Sequence, residues 1–233
     1  MAKIVITDLT RFQNKGIVCT AGTDMNSRAC VRPMPYLQSA DVERLGILPG
    51  AILSGEFRPI RGIAGPHQED ASYSRLKFEG PSSSKEFKAA LEAGIHQSAE
   101  AGFEIDLSDG QKHVPVGHTV QRSIVTLCVD PMSIEIVEDT FNPGKTKIHF
   151  VDGAGHEFRY LPITDLGLHR YAERHRAAKD LAKLNMFVRG QPEAYLRLGL
   201  SRAWSNGTVN GYWMQVNGVY TFPDFFQDIR SYK

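Results

Sequence analysis

The sequence predicts an all-β protein with two helices, built as two OB-like β-barrels. Three observations predict it. Short β-branched or aromatic runs recur between clusters of Gly, Pro, Asn and Asp. Only two segments carry helical periodicity. Each half of the chain repeats one plan, several strands, a helix and more β structure, and a barrel of about five strands plus a helix is the OB plan. The boundary falls near residue 120, giving barrels over 1–120 and 121–233. SH3-like barrels or one large sandwich fit the same pattern of strands. No repeat is visible residue by residue.

The chain opens with KIVITDL (3–9), GIVCTAG (16–22), ACVRPMP (29–35), AILSGEFRPI (51–60) and YSRLKF (73–78), all strand-like. RGIAGPHQEDAS (61–72) reads as the longest loop. A helix is predicted over 84–101. Ser83 and Glu86 have capping-box spacing, Phe87, Leu91, Ile95 and Ala99 recur at helical spacing, and Gly102 suits a C-terminal cap. Strands resume with SIVTLCV (123–129), SIEIVED (133–139), KTKIHFV (145–151) and HEFRYL (156–161). A second helix fits 165–184, with Asp165 or Thr164 as N-cap. AYLRLGLSRAW (194–204) and GYWMQVNGVYTFPD (211–224) close the β structure.

Hydrophobic residues make up 42% of the 233, enough for a packed core and too many for wholesale disorder. The net charge of +1 makes the whole chain no obvious polyanion binder. Three scattered cysteines without a C-x-x-C spacing argue against a cysteine zinc site. The N-terminus lacks a signal-peptide pattern, and no run approaches the ~20 apolar residues of a membrane helix. The expectation is a reduced, cytoplasmic protein without a membrane partner.

Asn217-Gly218 between two β-like runs is the strongest short-range hairpin signal. In that register Tyr212, Met214, Val216, Val219 and Thr221 share one face, a core face. Trp213, Gln215, Tyr220 and Phe222 share the other. Three rings around an amide suit stacking on bases, and packing beneath the second helix is the alternative. The segment from Arg159 to Arg202 carries nine Lys/Arg against four acids, a local +5 beside this aromatic stretch. Charge for phosphates beside π-faces for bases is the composition that single-stranded nucleic acid needs. A solvated helix face would have the same composition.

Within LRLGLSRAW, alternation puts the leucines inward and Arg197 and Ser201 outward, with Gly199 between them to admit a backbone or ligand. Arg202 and Trp204 end that strand and would line a mouth. In the N-terminal half, Arg28 and Arg32 bracket Cys30 and offer phosphate-binding guanidinia; pairing of Arg32 with an acid such as Asp8 or Asp24 is the alternative. His67, Glu69 and Asp70 share one loop, a set that would serve a metal or acid–base chemistry. Their spacing matches no metal signature, and a polar loop whose acids bond amides or arginines is the alternative. No G-x-S-x-G, Walker A, H-E-x-x-H or G-x-G-x-x-G motif occurs. The expectation is therefore no catalytic residue, no metal and no cofactor.

Read together, MAKIVITDLTRF, CVRPMP, PGAILSGEF, PHQED, LRLGLSRAW and WMQVNGVYTFPD resemble the bacterial dual OB-fold domain family, over residues 1 to about 224. The resemblance implies two OB-like barrels and a role in nucleic-acid recognition or sensing, often beside prokaryotic defence systems. It implies no catalytic residues. The matching positions are Cys30, Arg32, Pro33, His67, Glu69, Asp70, Gly199, Trp213, Asn217, Gly218 and Pro223. The expected function is a non-catalytic module binding single-stranded nucleic acid or a nucleotide. Arg197, Arg202 and the basic residues of the second helix would hold phosphates, with Arg28 and Arg32 as further binding residues; Trp213, Tyr220 and Phe222 would stack, Trp204 would line the mouth, and Gln215 or Ser201 would read an edge or a sugar hydroxyl. A metal-dependent hydrolase on the His67 loop and a protein-interaction module are the alternatives.

Overall fold

The computed structural model describes residues 1–224, so residues 225–233 of the expected second barrel lie outside the described residues. The described chain is mostly strand, as the sequence predicts. Its first half begins with β1 (Ala2–Arg11), β2 (Ile17–Asp24), β3 (Cys30–Met34), the short β4 (Leu37–Gln38), α1 (Ser39–Leu45), β5 (Ala51–Pro59) and β6 (Asp70–Pro81). β1 pairs antiparallel with both β2 and β5, β6 joins β5, and β3 runs parallel to β6 and antiparallel to β2. These pairings close a five-stranded barrel. Ile4, Ile6, Leu9, Val18 and Leu53 fill it. The short helix α1 carries little apolar periodicity and has no counterpart in the sequence prediction.

The predicted first helix is two. Ser83 caps α2 (Ser84–Glu92) through the expected capping box with Glu86. The chain then breaks at Gly94 into β7 (Ile95–His96) and restarts as α3 (Ala99–Phe103), capped by Ser98. The break has a cause: Ile95 and His96 pair in parallel with a later strand, which exposes Ile95 rather than burying it. Phe87 and Leu91 are buried as predicted. Gly102 is not a cap. It lies inside α3, where a Cβ would stand 3.0 Å from Val125.

The remaining elements are β8 (His113–Pro115), β9 (Ile124–Val129), a 3-10 turn at Pro131–Ser133, β10 (Glu135–Glu138), β11 (Thr146–Val151), β12 (Glu157–Pro162), α4 (Leu166–Ala177), α5 (Leu181–Arg189), β13 (Glu193–Leu200), β14 (Trp204–Ser205) and β15 (Asn210–Phe222). Asp165 caps α4 by accepting from the Leu168 amide at 3.1 Å. The predicted helix over 165–184 breaks at Lys179, whose φ is +58°. β10, β11 and β12 form a meander, and β13 lies between β9 and β15. A single parallel bridge, Ile163 to Val216, joins the end of β12 to β15. Both sheets share one core, including Leu127, Ile136, Phe150, Phe158, Leu196 and Val216. Ala99, Phe103, Val114 and Val120 belong to that core too. Among the described residues, no helix is long and apolar enough to cross a membrane.

The structure also overturns the expected hairpin. No hairpin turns at Asn217-Gly218. β15 runs through both residues, and its register against β13 shifts there, Arg197 opposite Gly218 and Leu198 opposite Val216. Asn217 is a bulge residue. A one-residue bulge shifts parity just as a two-residue turn does. Met214, Val216 and Val219 therefore share the core face, and Trp213, Gln215, Tyr220 and Phe222 the other, as alternation predicts.

Candidate nucleic-acid interface

β13 and β15 are buried on both faces because the two halves of the molecule meet across them. Even-numbered β13 residues enter the second core, while Tyr195 and Arg197 point at the first half. Arg197 is 2% exposed and so cannot contact a strand of nucleic acid. Its guanidinium donates to Asp8 at 2.9 and 2.8 Å, to Thr126 Oγ1 at 2.8 Å and to Cys30 Sγ at 3.6 Å. Burial pulls the guanidinium down, but Asp8 and Cys30 beside it leave the net shift upward. Burial of the Cys30 thiol, against the opposing pull of Arg197, pushes it up to about 12.

Tyr220 and Phe222 are core as well, at 0% and 4% exposure. Tyr220 meets Phe87 edge-on at 4.9 Å and donates its hydroxyl to the Thr7 carbonyl at 2.6 Å. Phe222 packs against Phe87 and Tyr195. The helix that covers these rings is α2, not the basic helix. Gln215 is half-buried and donates to Asn217 Oδ1. Arg28 is exposed but lies against α2, donating to the Ala89 carbonyl.

The His67 loop forms the other half of this seam. Glu69 accepts from the Ser123 amide at 2.6 Å, the Ser123 hydroxyl at 3.0 Å and the Ile124 amide at 3.1 Å. Asp70 accepts from Arg32 Nε at 2.5 Å and from Arg202 at 2.7 Å. His67 Nε2 donates to the Leu200 carbonyl at 3.2 Å, and its ring lies edge-on to Tyr212. Burial, then the guanidinia of Arg32 and Arg202, pull His67 down to about 4. Arg32 is buried here and unavailable to a phosphate. The acids bond amides and arginines, the alternative that sequence reasoning kept beside a metal site. Among the described residues, no group of three His, Cys, Asp or Glu side chains is placed to hold a metal ion.

What the structure does bring together at the surface is Ser201, Arg202, Trp204 and Trp213. Trp204 is 59% exposed. The indole N–H of Trp213 donates to the Trp204 carbonyl at 3.1 Å, and the two rings meet at 5.8 Å and 67°. Ser201 fixes the backbone beneath them, accepting from the Trp213 amide at 2.9 Å. His113 of β8 lies 5.0 Å from Trp213 and tilted by 34°. Arg202 has a side chain 46% exposed, anchored by Asp70 and within 3.4 Å of the Tyr36 hydroxyl. Tyr36 in turn packs on Phe12 at 4.7 Å. Sequence reasoning missed His113, Tyr36 and Phe12. Each is a lone ring outside any periodic run, and nothing local marks it as a neighbour of β15. The chain matches no family model and no curated protein.

Proposed function

We propose that the protein is a non-catalytic module that binds single-stranded nucleic acid through Trp204, Trp213, His113 and Arg202, on a frame of two OB-like barrels. The frame is supported by strand order. The first half closes in the order β1-β2-β3-β6-β5. In the second half β10, β11 and β12 lead through the Ile163 bridge to β15, then β13, then β9. That is the same order, with the first strand interrupted by the 3-10 turn. Small barrels of this kind bind oligonucleotides on exposed sheet faces and loops.

One observation carries the reading. The indole N–H of the half-buried Trp213 is locked onto the backbone carbonyl of Trp204, whose exposed ring meets it edge-on, with a half-exposed arginine two residues away in sequence. Locked rings stack bases without losing much side-chain freedom on binding, and the guanidinium meets a phosphate. Trp204 and Trp213 are the chain's two tryptophans, so its tryptophan fluorescence reports on this surface alone. Adding oligo-dT or oligo-U should quench it. Trp204→Ala should leave the fold intact and weaken binding by ~1–3 kcal/mol, one stacked base. Arg202→Gln should lower the slope of log affinity against log salt by about one contact. Fluorescence unchanged at saturating oligonucleotide, or a Trp204→Ala variant that binds like the parent, would overturn the reading.

A further inference from the structure

A second concave site lies between the two halves, about 520 Å³ in volume and separate from the tryptophan pair. The end of β1, the β1–β2 loop, α1 and α4 form its walls. The volume lies within the ~300–1,000 Å³ of small-molecule sites, which favour such junctions. Its polar groups are mostly cationic: Arg11 and Lys15 from the first half, and Arg170 and Arg174 from α4, with His169 beside them. Two acids line it, Glu43 and Glu173. Glu173 is already engaged, accepting from the Thr146 amide at 3.0 Å, its hydroxyl at 2.7 Å and Arg176 at 3.2 Å. Four cationic side chains against two carboxylates leave the lining net positive.

Two further observations fit an anionic ligand. Arg11 Nε and His169 Nδ1 are buried nitrogens with no hydrogen-bond partner. Buried polar atoms are almost always paired, so each orphan calls for an explanation. Burial also lowers the pKa of both side chains; Arg11 adds to the effect on His169, and Glu173 opposes it on both. The remaining wall is apolar, with Phe12, Val42 and Leu166 prominent. A bare inorganic anion would leave that wall uncovered. We propose that this cleft binds a phosphomonoester carrying a flat ring, of nucleoside monophosphate size. Its phosphate would lie among Arg11, Lys15 and Arg170, and its ring against Phe12 and Leu166.

The phosphomonoester could belong to a free nucleotide or to the 5′ end of a strand, and calorimetric titration of the full chain separates these sources. The probes are AMP, adenosine, inorganic phosphate, and one oligonucleotide with either a 5′-phosphate or a 5′-hydroxyl. AMP should bind at least tenfold more tightly than adenosine or phosphate. Arg11→Gln should weaken AMP at least tenfold, and exposed Lys15→Gln and Arg170→Gln several-fold each, so the test survives if Arg11→Gln fails to fold. Trp204→Ala should leave AMP binding unchanged, which keeps this site distinct from the single-strand surface. If AMP does not bind, but a 5′-phosphate raises oligonucleotide affinity at least tenfold and Arg11→Gln or Lys15→Gln removes the gain, the ligand is a strand end. If neither AMP nor the 5′-phosphate gains affinity, or if all three charge variants bind like the parent, the proposal is wrong.

Discussion

His67 donates one hydrogen bond inside a seam that also holds two guanidinia, and its proton balance follows from that. Folded, it titrates at about 4; in an unfolded chain an imidazole titrates near ~6.5. Between those values the unfolded chain binds the extra proton, so His67 costs stability progressively as pH falls from 6.5 toward 4. The loss reaches about 3 kcal/mol at pH 4. His67→Gln keeps a donor and removes the titration. Urea midpoints at pH 7 and pH 4 should fall further apart in the parent than in the variant, and equal gaps would rule out this account. At this scale the sequence is legible only in part. Glu69 and Asp70 read correctly as acids that bond amides and arginines. Arg32 and Arg197 do not read as buried, because alternation separates the faces of a strand without revealing that a second half covers both.

β15 illustrates the same limit over thirteen residues. Asn-Gly between apolar runs is chemically suited to a tight turn, yet also to a bulge where side chain and backbone must crowd. A Cβ on Gly199 would lie 2.2 Å from Asn217 Nδ2, and one on Gly218 would lie 2.5 Å from the Tyr220 ring. Both glycines are there because neighbouring side chains fold across them. Local pattern cannot separate the two uses, since the partner strand decides between them. The helices split for a comparable reason: the Ser83 and Asp165 caps were readable, but the breaks near Gly94 and Lys179 depend on strand pairing and chain direction beyond them. The bulge makes a sharp prediction. Gly218→Ala must displace a ring that is wholly buried and hydrogen-bonded to Thr7. It should cost about 2–4 kcal/mol, combining overpacking with a lost hydrogen bond. A urea-unfolding loss under about 1 kcal/mol would contradict the packing of the Tyr220 ring over Gly218.

Across the whole molecule, the longer strands of both halves were legible because each is a local run bounded by turn chemistry, whereas the two- and three-residue strands β4, β7, β8 and β14 were not. The interlock between halves was not. Glu69 reaches Ser123, Asp70 reaches Arg202, Thr7 meets Tyr220 and Asp8 meets Arg197, and no local pattern encodes pairs so far apart. The same gap explains why Arg11 and His169, residues of different halves, showed no sign of sharing a cleft. The Asp8–Arg197 pair spans 189 positions, and that separation bears on time as well as stability. Contacts that close so long a loop are rewarded only after nearer ones have formed. The seam should therefore be absent from the folding transition state, with φ near zero. Arg197→Met leaves Asp8 buried and uncompensated, a loss of roughly 3–5 kcal/mol. That loss should surface as unfolding faster by roughly two to four orders of magnitude, with refolding almost unchanged, in stopped-flow measurements. Slower refolding at a constant unfolding rate would put the seam in the nucleus instead. On this account Arg197 acts as a latch: the two halves assemble without it, and it sets how long the native state lasts once they have.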